Sequence, residues 1–131
     1  MLGTALAGIF CALGLGACAD ETISGFADPA AEYALTELLG NPFTANATVA
    51  FPSQGQVRGQ GPCNNWGATQ TAPYPWFALG PIRASQRACD ALADERAFFD
   101  ALSQMTLAEV VGDVLILSDP DLGEMLFQRR D

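Results

Sequence analysis

The sequence predicts an α+β domain that is mostly β, with antiparallel strands in a curved sheet and one helix packed against it. Short apolar segments alternate along the chain with turns that contain glycine, proline or asparagine, which is typical of antiparallel strands. The central strands are interrupted by glycines, which permit the bulges and sharp curvature that a closing sheet needs. These are Gly55, Gly59, Gly61 and Gly67. Only residues 90–105 have the clear spacing of an amphipathic helix.

The composition fits one folded domain and argues against several functions. The chain has 131 residues, of which 50% are hydrophobic and 16% charged, so it is long enough for one core and too apolar for disorder. Fifteen carboxylates against six arginines give a net charge of -9, which repels phosphate backbones. We therefore expect no nucleic-acid partner. The chain has no histidine, which removes the commonest general base and most zinc sites, and we expect neither a metal nor a cofactor.

The first seventeen residues carry no charge and are short for a membrane-spanning helix, so residues 1–17 are predicted to be a signal peptide. They lead into Leu15-Gly16-Ala17-Cys18, which resembles the lipobox of bacterial lipoproteins. In that motif the small residues enter the signal peptidase, and the thiol of Cys18 takes the diacylglycerol. The alternative is a buried N-terminal helix.

Residues 18–32 are small, acidic and broken by Gly25 and Pro29, which predicts a flexible tether between the lipid and the domain. Ala19, and not an aspartate, follows Cys18 directly. This favours the outer membrane over the inner one, with the domain on the periplasmic face of the cell envelope.

The strands follow in order. Residues 33–39 fit either a first strand or a short helix, because the three leucines at positions 35, 38 and 39 have helical spacing while Tyr33, Leu35 and Glu37 share one strand face. Residues 47–51 and 56–59 flank a turn with proline and glycine, which predicts a β-hairpin. Trp66 and the aromatics of residues 74–77 are interpreted as core side chains, in preference to a stacking platform for a sugar or apolar ligand.

The helix at residues 90–105 is predicted to begin with Asp90 as its cap and to bury a stripe that includes Phe98, Leu102 and Met105. Two or three strands are predicted to follow, at residues 107–111, 114–117 and 124–129, separated by turns at Gly112-Asp113 and at residues 119–123.

The cysteine count is consistent with an envelope protein. Cys11 would leave with the signal peptide and Cys18 would carry the lipid, which leaves Cys63 and Cys89 as an even pair. In an oxidising periplasm such a pair is a disulfide candidate, and two buried free thiols are the alternative.

The order of short motifs resembles the META domain, the family that includes HslJ-like bacterial lipoproteins. The motif residues are Phe51, Gly55, Val57, Gly59, Cys63-Asn64, Ala88-Cys89, Glu95, Phe98, Leu102 and Leu126-Phe127-Gln128-Arg129. The resemblance assigns residues 33–131 to the domain and implies a sheet curved towards an open barrel with a packed helix. It implies no settled biochemical activity, and associates the family loosely with stress response and envelope function.

No catalytic set is evident. Cys63 has no histidine to activate it, and serine–lysine chemistry is excluded because the chain has no lysine. We therefore predict a non-enzymatic, lipid-anchored periplasmic protein that supports envelope integrity or stress response through protein contacts. The alternative is a carrier that holds a small apolar ligand or acyl chain within the curved sheet.

Overall fold

The computed structural model describes residues 19–130. The predicted signal peptide and the lipidation site Cys18 lie outside these residues. Within the described part of the chain, no helix is both long and apolar enough to cross a membrane.

The described residues form nine strands and one α-helix, after a short 3-10 turn at Ile23–Gly25. The strands are β1 (Glu32–Leu38), β2 (Asn41–Pro42), β3 (Thr48–Ser53), β4 (Gly55–Gln60), β5 (Asn65–Gln70), β6 (Arg83–Ala84), β7 (Leu107–Val111), β8 (Val114–Asp119) and β9 (Gly123–Arg130). The helix, α1, spans Leu92–Leu102.

The strands form one antiparallel sheet in the order β6-β5-β4-β3-β1-β9-β8-β7, with β2 beside β1. The gap between the two ends of the sheet is partly spanned by the chain between β5 and β6. There the Phe77 amide donates to the Thr106 carbonyl beside β7 at 2.9 Å, and the Gly80 amide donates to Thr69 of β5 at 2.8 Å. The sheet is therefore curved and open, which confirms the predicted fold class.

The core lies between the inner face of the sheet and α1. Alternate residues of each strand point inward, as Val49 and Phe51 do in β3 and Leu115 and Leu117 do in β8, all fully buried. The helix contributes Phe98, Ala101 and Leu102. The Phe98 ring lies 6.0 Å from Trp66 and 6.4 Å from Phe43 between centroids, so aromatic contacts join the helix to the sheet.

Several element boundaries differ from the sequence prediction. Residues 33–39, which fitted a strand or a helix, lie almost entirely in strand β1. The predicted turn at residues 52–55 is shorter, because Pro52 and Ser53 remain in β3. The prediction that Asp90 caps the helix is wrong: α1 begins at Leu92, after Ala91, and no side chain caps it. Residues 90 and 91 form a turn after Cys89, so Asp90 stands one position too early.

The predicted tether at residues 18–32 is wrong from Asp20 onward, because this segment packs against the sheet and Glu32 already belongs to β1. Ile23, Ala27 and Ala31 are buried at intervals of four residues, an apolar pattern that small and acidic neighbours obscured. The Glu21 carbonyl accepts the Tyr74 amide at 2.7 Å.

Asp20 stabilises the turn that starts this segment. Its carboxylate accepts the amide and hydroxyl of Thr22 at 2.8 and 2.6 Å, and also the Ser24 hydroxyl. Burial acts to raise the pKa of Asp20, but the hydrogen bonds from Ser24 and Thr22 outweigh it and hold the pKa below its usual value. The ionised carboxylate is therefore the form that the folded segment favours.

Two glycines in adjacent strands provide a matched test of the strand packing. A Cβ at Gly59 would lie 1.9 Å from the Thr48 carbonyl oxygen, so β3 and β4 would have to separate. We expect Gly59→Ala to lower the free energy of unfolding by at least about 2 kcal/mol in urea denaturation.

The control is Gly67→Ala in β5, whose Cβ would meet its nearest neighbour, the Val57 carbonyl oxygen, at an ordinary 3.6 Å. This variant should stay within about 0.5 kcal/mol of the unmodified protein. Equal stability of the two variants would contradict the close packing at Gly59.

Candidate functional site

The buried carboxylate of Glu95 ties the helix to the chain that precedes β5. Glu95 is 3% exposed, in the first turn of α1. Its Oε2 accepts the backbone amides of Cys63 and Asn64 at 2.9 and 2.7 Å, and its Oε1 accepts the side-chain amide of Asn64 at 2.6 Å. Three donors thus offset the cost of burying this group.

Asn64 extends the network to the chain around β6. This side chain is also buried, and its Oδ1 accepts the Ser85 hydroxyl at 2.9 Å and the Arg87 amide at 2.6 Å. Its Nδ2 donates to the Arg87 carbonyl at 3.0 Å as well as to Glu95. One amide side chain therefore joins α1, the approach to β5 and the loop that follows β6.

Cys63 and Cys89 form a disulfide that closes the same region covalently. The S–S distance is 1.99 Å and the Cα atoms lie 5.6 Å apart. Of the two alternatives for this pair, the structure has the bonded one. Gly61 lies so close to Glu95 that an added Cβ would be 2.6 Å from Oε2.

The structure brings together four of the motif residues of the predicted family. Cys63, Asn64, Cys89 and Glu95 form a single network, and Gly59 permits close packing of β3 and β4. Ala88 is exposed in the loop, and no contact in the structure explains it.

This network offers no reactive group. The Cys63 sulfur is bonded to Cys89, and both oxygens of Glu95 are occupied by donors within the protein. Across residues 19–130 no group of three histidine, cysteine, aspartate or glutamate side chains is placed to hold a metal ion. The arrangement holds a loop in position.

That loop forms one side of an open groove, which is the candidate binding site. The groove has a volume of about 750 Å³ and lies across the outer face of β1, β3, β4, β5 and β6. One lining residue from each strand shows its extent: Glu32, Ala50, Arg58, Asn65 and Arg83.

Two arginines face each other across the groove. Arg58 of β4 pairs with Gly67 of β5, and Gly67 pairs in turn with Arg83 of β6. Since strands are about 4.8 Å apart, the two arginine Cα atoms are separated by roughly 10 Å with no side chain between them. The conformation of Gly67 does not require glycine, because a Cβ there would meet only ordinary contacts.

Only some of the charged side chains in the groove are in ion pairs. Within the described residues, Arg58 and Arg83 make no ion pair, whereas Glu32 is paired with Arg130 at 2.9 Å. Gln60 of β4 and Asn65 of β5, which are register partners with exposed amide side chains, also line the groove. The groove therefore offers cationic and amide donors in an otherwise acidic protein.

The sequence analysis did not identify this site. Strand alternation places Arg58 outward, but β6 has two residues and no periodicity, so nothing in the sequence brings Arg83 beside it. The aromatic residues that were predicted to lie in the core do not all do so. Trp66 and Phe77 are buried in the core as predicted, but Trp76 is 59% exposed, because it lies at the outer edge of β7.

Trp66 has a further peculiarity. Its indole Nε1 is buried and has no hydrogen-bond partner among the described residues.

A curved antiparallel sheet, one packed helix and a disulfide-linked loop beside an open groove define a small, mostly β domain. The META domain model matches residues 27–131, and the chain belongs to this family. The matched region starts before the predicted residue 33, which agrees with the packing of the N-terminal segment.

Solved structures share the fold at low sequence identity. A protein from Burkholderia xenovorans, solved by NMR, is 17% identical with a TM-score of 0.57, and the match covers 87% of this chain and 85% of that one. A second NMR structure is 12% identical with a TM-score of 0.60, covering 75% and 87%. A DUF4847 family protein from Bacteroides vulgatus is 14% identical with a TM-score of 0.53, covering 63% and 57%. The search of curated proteins gives no match.

The Glu95 network predicts a specific cost for one conservative change. In Glu95→Gln an NH2 group replaces one carboxylate oxygen. That NH2 group must face at least one of the three N–H groups that donate to the carboxylate in the unmodified protein. We expect the free energy of unfolding to fall by about 1–3 kcal/mol in urea denaturation.

Glu109→Gln is the control, since Glu109 is exposed on β7, and it should change the unfolding free energy by less than about 0.5 kcal/mol. Similar losses in both variants would mean that the buried network adds nothing specific.

Proposed function

We propose that the protein is a lipid-anchored domain on the periplasmic face of the bacterial cell envelope, where it binds an acidic segment of a partner protein in its groove and catalyses no reaction. The observation that carries the binding part of this proposal is the pair Arg58 and Arg83 on either side of Gly67. A role in envelope integrity or stress response would be exercised through that contact.

The disulfide supports the compartment. Such bonds persist in the periplasm and are rare in the reducing cytosol. Cys63 and Cys89 pair with each other and Cys18 follows the lipobox pattern, so this proposal accounts for every cysteine beyond the predicted signal peptide.

The shape of the groove favours an extended segment. It crosses five strands, which is roughly 19 Å, and this is the length of about six residues of extended chain. Guanidinium groups bind carboxylates in bidentate fashion. In a polyproline II segment, which has three residues per turn and rises about 3.1 Å per residue, two acidic side chains three residues apart lie on the same side about 9 Å apart and would reach Arg58 and Arg83 together.

The packing of residues 19–130 does not favour the alternative of an apolar carrier. The inner face of the sheet is filled by large, fully buried side chains such as Tyr33, Phe51, Phe98 and Phe127. The groove that the structure does offer lies on the other face and carries charged and amide groups.

The groove predicts a charge-specific interaction with a simple probe. The probe is a labelled eight-residue glycine–serine peptide with aspartate at its third and sixth positions, and binding is followed by fluorescence anisotropy. The double variant Arg58→Gln/Arg83→Gln should bind it at least about tenfold more weakly, because two charge-assisted contacts are lost.

Two controls make this test specific. Arg96→Gln also removes an arginine charge, but from the exposed face of α1, and should leave binding unchanged. Gly67→Leu keeps both charges, fills the space between them, and should weaken binding as much as the double variant does. Equal loss in Arg96→Gln, or no binding of the acidic peptide above its asparagine counterpart, would contradict the proposed site.

The anchor is tested separately by the intact mass of the protein expressed from its own gene in a bacterial host. A mass that starts at Cys18 and includes acyl groups is expected. A mass that starts at Met1 would overturn the anchor but not the groove.

A further inference from the structure

The exposed large hydrophobic side chains of the described residues lie around one tyrosine. They are Phe26, Trp76 and Val111, which are 52%, 59% and 54% exposed. The Phe26 ring stacks on Tyr74 at 4.2 Å between centroids, and Trp76 is two residues further along the chain. The Tyr74 hydroxyl accepts the amide of Val110, which precedes Val111, at 2.9 Å. We call Phe26, Tyr74, Trp76 and Val111 the aromatic patch.

The aromatic patch is tied to the start of the described chain. The Tyr74 amide donates to the Glu21 carbonyl at 2.7 Å, and Glu21 is three residues from Cys18. Three extended residues span at most about 10 Å. The Asp20 carboxylate also restrains this stretch, because it accepts hydrogen bonds from Thr22 and Ser24. A lipid on Cys18 would therefore enter the bilayer beside the aromatic patch.

The side chains of the patch suit a membrane surface. Tryptophan and tyrosine are enriched at lipid–water interfaces, where an apolar ring and a polar group meet different surroundings. Two exposed acidic residues are near the patch along the chain: Glu21, whose carbonyl accepts the Tyr74 amide, and Glu109, two residues before Val111. Their charge favours zwitterionic over anionic head groups. None of the four patch residues lines the groove, so the groove stays free when the patch is covered.

We infer that the aromatic patch rests on the lipid–water interface beside the anchor, so that the domain is held against the membrane in one orientation. This inference rests on the proposed lipid anchor. The acyl chains supply the attachment, and the patch fixes how the domain lies on the surface.

The two tryptophans make the test direct, because one is in the patch and the other in the core. Trp66→Phe leaves Trp76 as the only tryptophan, and it breaks no hydrogen bond because the Trp66 N–H has no partner among the described residues. Trp76→Phe leaves only the buried Trp66 and is the matched control. Both variants, purified in acylated form, are placed on phosphatidylcholine vesicles with and without brominated acyl chains.

On vesicles the emission of Trp76 should shift to the blue relative to the protein in solution. On brominated vesicles its intensity should be at least roughly twofold lower than on unbrominated ones, since interfacial tryptophan lies within reach of the acyl chains. The emission of Trp66 should not change. Anionic lipid should reduce the Trp76 effect. If Trp66→Phe does not fold, the same comparison is made between the unmodified protein and Trp76→Phe.

A second sample separates this inference from the anchor itself. Residues 1–18 are replaced by a histidine tag, and the chain is held on vesicles by nickel-chelating lipid; the family match begins at residue 27, so the domain is retained. Quenching of Trp76 here supports contact between the patch and the interface when the chain is attached beside it, and this result does not depend on acylation of the native protein. The inference is overturned if Trp76 is not quenched on these vesicles. It is also overturned if a second copy of the chain covers the patch in solution.

Discussion

The described fold depends most on the buried carboxylate of Glu95. An ionised carboxylate away from water is costly unless its lone pairs are satisfied, and here three N–H groups satisfy them. Two of these donors are consecutive backbone amides, which fixes the direction of the chain at Cys63 and Asn64. Because Glu95 is in the first turn of α1, the same contacts also set where the helix begins against the sheet.

The groove follows from that constraint. Asn64 passes the restraint to Ser85 and Arg87, and the disulfide adds a covalent link from Cys63 to Cys89. Between these fixed points the chain has one short strand, β6, which carries Arg83 next to Gly67. The motif residues therefore act at a distance from any ligand: they hold in place the arginine that would meet it. The aromatic patch does not line the groove, so the proposed attachment to a membrane and the proposed binding of a partner would use separate surfaces.

The sequence predicts the regular parts of this fold well, because they are local. The hairpin of β3 and β4 and the strand at residues 107–111 follow from alternation and turn residues alone. The predicted start of the helix was wrong because the chain at Asp90 follows a disulfide-linked residue. The predicted tether was wrong because Ile23, Ala27 and Ala31 are buried in a core that residues of distant strands form. The groove was missed for a similar reason. Its arginines are 25 positions apart in the sequence and are brought together by a two-residue strand.

The most direct test of this account is native-state hydrogen exchange at the amides of Cys63 and Asn64. If the Glu95 carboxylate is the contact that organises the site, both amides should exchange only through global unfolding, with the same opening free energy as the core amides of β8. Exchange through a local opening that leaves β8 protected would contradict the account, because the loop and its groove would then be held by the rest of the fold without Glu95.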